Sequence, residues 1–129
     1  MPDQTIKVIN VVCAILEDEE ERIFVARRPE GKALAGGWEF PGGKIELNEA
    51  PAGALKREIR EELEIEITIG DLLPASSYDY DFATVVLHPY RATIQSGEIN
   101  LTEHPEGLWL NRKDLPNLNW VPADIPIMQ

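Results

Sequence analysis

Apolar residues recur along this chain with two different periods, and the change of period marks its elements. Residues 6–16, IKVINVVCAIL, are rich in β-branched side chains and predict a buried strand, followed by an acidic turn at residues 17–21. A second strand is expected over residues 22–28, pairing with the first across that turn. Residues 65–69, IEITI, alternate strictly and predict a half-exposed strand. The aromatic-rich stretch 76–82 and the β-branched stretch 84–93 predict a hairpin turning near residues 81–83, and a short strand is expected at 108–110. Residues 111–115 suit a short helical turn stopped by Pro116. One segment has helical spacing: Leu55, Ile59 and Leu63, with Ala52 a turn earlier, predict an amphipathic helix over residues 48–63 docked through that stripe.

At 129 residues the chain is expected to form one domain over residues 1–129, long enough to bury a core. A net charge of −11 argues against nucleic acid or an anionic membrane as the main partner. It does not argue against a nucleotide, because a bound cation can supply the local positive charge. Cys13 lies in an apolar run and reads as a buried thiol, with no second cysteine to pair with. Met1–Gln4 shows no basic, leader-like start and no apolar run reaches the length of a membrane span, so a cytoplasmic location is expected. His88 has no second histidine or cysteine at ligand spacing, which disfavours zinc.

The chemistry concentrates on the polar side of the helix. Glu58, Glu61 and Glu62 are neighbours on one face and repel one another unless something positive lies between them. A divalent cation is one answer, and magnesium suits a shallow carboxylate cluster shared with substrate phosphates. The other answer is a solvated face with Arg57–Glu61 and Arg60–Glu64 ion pairs. Arg27 and Arg28 close the second strand, either as surface charges or as guanidiniums that grip phosphate. Residues 38–44, WEFPGGK, combine a proline with paired glycines in a tight turn whose backbone can approach a ligand closely. Tyr78, Tyr80 and Phe82 fall at period two and share a side, as core or as a wall for a ligand.

The full spacing narrows these choices. Gly43, five residues, Glu49, seven residues, Arg57-Glu58-Ile59, one residue, Glu61-Glu62, one residue, position 64 and Ile65 resembles the Nudix box. One fixed position departs: Glu64 stands where the family has glycine, a left-handed helix terminus at which a side chain costs on the order of 1 kcal/mol. The phrase WEFPGGK resembles the MutT-type branch, the nucleoside triphosphate pyrophosphohydrolases. The resemblance implies a Nudix fold of the α/β class, a mixed β-sheet in an α/β/α sandwich, which the order of strands and the one long helix also fit. It implies Mg2+, with Mn2+ as an alternative, held by Glu58, Glu61, Glu62 and the Gly42 carbonyl, with Glu103 as a further ligand or base. Arg57 would orient the glutamates, with Glu49 behind them or on a bridging metal. Arg28 would contact the nucleotide, and the tail at residues 120–127 would begin a C-terminal helix; Phe40 is expected in the substrate site, with Phe82 and Tyr80 of the alternating aromatics as wall residues.

In that tail Asp124 takes the place of the branch's base-contacting Asn or Asp. An ionised aspartate only accepts hydrogen bonds and would favour bases that present N–H donors, whereas a helix N-cap is its structural alternative. The activity implied is Mg-dependent hydrolysis of a nucleoside triphosphate to monophosphate and pyrophosphate. The substrates implied are an oxidised guanine triphosphate, as in a DNA-repair or pool-sanitising role, or a cytidine-type triphosphate. A Nudix hydrolase of ADP-ribose or dinucleoside polyphosphates is one alternative and a non-catalytic binding module another. The general base stays open among Glu58, Glu62 and Glu103, and the chain could act as monomer or homodimer.

Overall fold

The computed structural model describes residues 7–129, so Ile6 of the expected first strand and Met1–Gln4 lie outside the described residues. Among the described residues eight strands form two sheets. The larger contains β1 (Val8–Leu16), β4 (Gly42–Lys44), β5 (Glu66–Leu72), β6 (Ser76–Asp79) and β7 (Thr84–Ser96), in the order β4-β1-β7-β5 with β6 also on β7. The smaller contains β2 (Ile23–Arg27), β3 (Trp38–Glu39) and β8 (Glu106–Leu110), ordered β3-β2-β8. The larger sheet is mixed, because β1 runs parallel to β7 and antiparallel to β4.

The expected β1–β2 hairpin does not form. Beyond one isolated bridge, Glu17 to Ile23, the acidic turn carries the chain out of one sheet into the other, and β2 pairs with β3 and β8. Alternation explains why both strands are nevertheless buried on two sides. Val12, Ala14, Leu16, Phe24 and Ala26 pack with Leu55, Ile59 and Leu63 of the long helix, whereas Cys13, Ile15, Ile23 and Val25 pack with Trp38, Leu115, Trp120 and Ala123 on the opposite face. The sheets are thus sandwiched between that helix, α1 (Pro51–Leu63), and the C-terminal segments, in agreement with the expected α/β/α architecture.

Helix α1 starts at Pro51, later than the expected Asn48, which instead adopts φ 65°. Proline fits the first helical position, where its missing N–H would have had no partner. At the other end Glu64 takes the left-handed conformation, φ 58° and ψ 38°, and its N–H donates to the Arg60 carbonyl at 3.1 Å, so the helix terminates as a glycine would terminate it. The Glu64 carboxylate accepts from Asn100 Nδ2 at 2.6 Å, which offsets part of the cost. Glu64→Gly should therefore stabilise the fold by about 0.5–1 kcal/mol in urea unfolding. A destabilised variant would mean that the Asn100 bond outweighs the backbone strain.

The hairpin at residues 76–93 forms as expected, with Tyr80 N–H donating to the Ala83 carbonyl at 2.9 Å. Strand β7 continues through Pro89, which the ladder tolerates for a local reason. β6 pairs up to Leu87 and β5 from Tyr90, so Pro89 faces the gap between them, and there its carbonyl accepts from Leu73 N–H at 2.8 Å. Pro116 lies inside the 3₁₀ turn Arg112–Asn117 rather than stopping it, and the C-terminal helix is short: a 3₁₀ turn at Pro122–Asp124 followed by α2 (Ile125–Met128). Among the described residues no helix is long and apolar enough to cross a membrane.

Candidate active site

A cavity of about 740 Å³ opens beside the edge strand β4. Its apolar wall follows from the parallel register of β1 and β7, which sets Ile9 opposite Val85 and Val11 opposite Leu87, and all four side chains line it. Phe40, Tyr80, Phe82, Ala123 and Asp124 line it as well. So do Arg28, Gly42, Glu58, Glu61, Glu62 and Glu103, which come from four separate stretches of chain.

Glycines at the β3–β4 crossover let the helix come close. A Cβ on Gly42 would overlap the Val12 carbonyl oxygen, and one on Gly43 would overlap the Glu58 carboxylate. Glu62 is buried, at 7% exposure, and Gly42 N–H donates to its Oε1 at 3.2 Å. Burial, together with the charges of Glu39, Glu58 and Glu103, pushes its carboxyl up to about 9. Glu58 is shifted the same way, chiefly by burial, against the opposing pull of Arg57.

Arg57 lines no part of the cavity wall and acts from behind it. Its Nη1 donates to Glu58 at 2.9 Å and to Glu61 at 3.1 Å, its Nη2 to the Lys44 carbonyl at 3.0 Å, and its Nε and Nη2 grip Glu49 at 2.7 and 2.9 Å. Those bonds hold the Glu49 carboxyl down at about 2. Among the described residues no three acidic, histidine or cysteine side chains converge into a preformed ion cage. The donor set still fits a hard divalent cation: several carboxylates share a partly dry wall, and burial shifts the carboxyls of Glu58 and Glu62 upward, the first in spite of Arg57.

The remaining candidate residues are fixed by polar bonds. Arg28 donates from Nε to the Ala33 carbonyl at 2.7 Å and from Nη1 to Glu39 Oε1 at 3.0 Å. Glu103 accepts from Lys32 Nζ at 3.0 Å. Asp124 is buried, and its Oδ2 accepts from Phe40 N–H at 2.9 Å; it makes no helix-capping bond, which excludes the N-cap alternative. Burial raises its carboxyl well above the ordinary aspartate range, which favours the protonated form, a side chain that both donates and accepts, over the ionised, accept-only one.

The aromatic run lies at the edge of the core, with Tyr80 packed against it and stacked on Phe82, and Tyr78 tilted against Tyr80. Tyr78 and Tyr80 have centroids 4.7 Å apart, and Tyr80 and Phe82 lie 5.2 Å apart with planes inclined by 8°. Tyr78 and Phe82 are exposed, while the Tyr80 hydroxyl accepts from Ala123 N–H at 2.9 Å.

Sequence reasoning missed Ile9, Val11, Val85 and Leu87, whose alternation is that of any buried strand. It also missed Glu39 and His104, each of which stands beside a residue that had been singled out.

Against known proteins, the NUDIX domain model matches residues 7–129. The chain is 36% identical over 123 residues to the CTP pyrophosphohydrolase of Escherichia coli strain K12, covering 95% of this chain and 90% of that protein. It is 31% identical over 122 residues to the 8-oxo-dGTP diphosphatase of Haemophilus influenzae, with 95% and 90% covered. A solution structure from methicillin-resistant Staphylococcus aureus, described as the DNA mismatch repair protein MutT of the Nudix hydrolase family, aligns with TM-score 0.77 at 44% identity, over 96% of this chain and 95% of that one. Box spacing, sandwich fold and these likenesses agree, and the chain belongs to the Nudix family, as a Nudix hydrolase.

Proposed function

We propose that this hydrolase cleaves a nucleoside triphosphate to its monophosphate and pyrophosphate, acting on an oxidised guanine or a cytidine-type triphosphate. The observation that carries the reading is a single cavity in which a carboxylate wall meets an apolar wall containing the buried Asp124. The names of the relatives, CTP pyrophosphohydrolase and 8-oxo-dGTP diphosphatase, support it. Glu58, Glu61, Glu62, Glu103 and the Gly42 carbonyl would hold Mg2+, or Mn2+ in its place. When bound, the cation supplies charge neutralisation along the phosphates and acidifies water for attack on phosphorus.

The chain's own residues do the rest. Arg57, bonded to Glu58 and Glu61, fixes those carboxylates in one orientation. Arg28, tied down through Nε and Nη1, has its Nη2 donors left to take a phosphate oxygen. The water oxygen bonds to phosphorus, the P–O bond in the α–β bridge breaks so that monophosphate and pyrophosphate part, and the water's proton passes to Glu58, with Glu62 and Glu103 as the competing acceptors. Asp124 meets the Watson–Crick edge of a base seated against Ile9, Val11 and Phe40. A protonated Asp124 can pair with the acceptor and donor of a guanine edge, and an ionised one with the amino group of cytosine.

Pyrophosphate release from 8-oxo-dGTP, dGTP, CTP, dCTP and 5-methyl-dCTP, ranked by kcat/KM, tests this. One of the five should lead the others by at least about tenfold, the scale of one or two base contacts, and activity should vanish with EDTA. Silence across the panel, with turnover of ADP-ribose or a dinucleoside polyphosphate, would overturn the reading. Binding without turnover of any of these would make the protein a binding module.

A further inference from the structure

His104 is buried, at 6% exposure, and among the described residues its Nδ1 is the one buried side-chain nitrogen or oxygen without a hydrogen-bond partner. Its Nε2 lies 3.0 Å from Glu39 Oε2. Since a carboxylate accepts, the ring must carry its proton on Nε2 to make this bond, which leaves Nδ1 as an acceptor without a hydrogen-bond donor. A histidine kept in such a place costs more than a leucine of similar bulk unless the one bond it makes has a use.

The connections of that bond indicate the use. The second oxygen of Glu39 accepts from Arg28, so His104, Glu39 and Arg28 form a continuous chain along the cavity wall. On the other side of Glu103, Thr102 Oγ1 donates to the Glu61 carbonyl at 2.7 Å, and Thr102 N–H donates to that of Glu62 at 3.1 Å. Glu103 is therefore slung between two anchors, one on the end of α1 and one on β3. The β3 anchor is the same carboxylate that holds Arg28.

We propose that His104 is a positioning residue, which through Glu39 sets Arg28 toward the substrate phosphates and at the same time fixes the loop that presents Glu103. It rests on the roles given above to Arg28 and Glu103. Loss of the Nε2–H donor releases both, whereas a side chain that returns an N–H at the same reach restores them.

The test uses the intact protein with the best triphosphate of the panel, comparing His104→Leu and His104→Gln, each alone and with Arg28→Ala. His104→Leu should raise KM about tenfold and, through the Glu103 loop, weaken Mn2+ binding read by electron paramagnetic resonance by a similar factor. His104→Gln, whose amide can donate to Glu39, should stay within about threefold of the native protein. With Arg28→Ala already present, the KM effect of His104→Leu should shrink to less than about twofold. Independent, multiplying losses, or a glutamine variant as impaired as the leucine one, would overturn the proposal. Should His104→Leu fail to fold, Glu39→Gln serves: its amide puts an NH2 donor where one of the two accepting oxygens stood, so it cannot serve Arg28 and His104 at both positions, and an unchanged KM would equally overturn it. A native protein that turns over nothing would instead sink the proposed function, and the Mn2+ titration would still read His104.

Discussion

Glu58→Gln is expected to lower kcat by about a hundredfold to ten-thousandfold, the range for removal of a positioned general base. The side chain is isosteric and can still accept one bond from Arg57, so the orientation of Glu61 and the fold should survive, and thermal melting should confirm it. What is lost is the charge and the proton acceptor. Full turnover at saturating magnesium would remove Glu58 from the mechanism. The same substitution at Glu62 and at Glu103 then separates the three candidates, because the true acceptor is the one whose loss magnesium cannot compensate.

Glu62→Gln carries the largest expected effect on stability, and its sign depends on pH. The folded carboxyl titrates near 9, above the ordinary 4.5, so between those values the folded chain binds a proton that the unfolded chain has released. Stability of the metal-free protein is therefore full below about pH 4.5 and falls as pH rises toward 9. Glutamine cannot ionise, so in EDTA at pH 9 the variant should be more stable than the native protein by about 2–4 kcal/mol, less than the full shift at 1.36 kcal/mol per unit because neighbouring carboxylates relax together. Glu58, shifted in the same direction, should leave a smaller residual slope. A divalent cation should reverse the order, stabilising the native protein and not the variant. Denaturant midpoints from pH 5 to 9, with EDTA and with magnesium, check this. Parallel curves in EDTA would mean that Glu62 is solvated and ordinary.

Much of the architecture was legible because burial leaves a period. Leu55, Ile59 and Leu63 marked the helix and its docked face, and the paired glycines marked a backbone that something approaches, which the Gly43–Glu58 contact now explains. The pairing of strands was not legible. Alternation says which side chains are apolar but not which strand lies alongside, so β1 and β2 looked like a hairpin and belong to different sheets. Glu58, Glu61, Glu62, Glu103, Arg28, Phe40, Phe82 and Asp124 line one cavity, yet only the helical trio could be grouped from spacing; Arg28, Glu103 and Asp124 needed the likeness to the MutT-type branch. Glu39 and His104 gave no periodic signal at all, since the bond that joins them links residues far apart in the chain. The upward shift of the Asp124 carboxyl was equally hidden, because it is set by what packs around the side chain.

The parallel ladder of β1 with β7 also sets the order in which this protein can become competent during synthesis. Val8 must wait for Thr84, and Ile23 to Arg27 must wait for Glu106 to Leu110, so the two ladders close loops that span most of the chain. The acidic helix emerges from the ribosome well before either ladder can form, with its carboxylates presented to no cavity. Nucleotide binding should therefore appear only after nearly the whole chain has been made, and a release-arrested fragment ending before Glu106 should be ligand-blind and vulnerable to proteases.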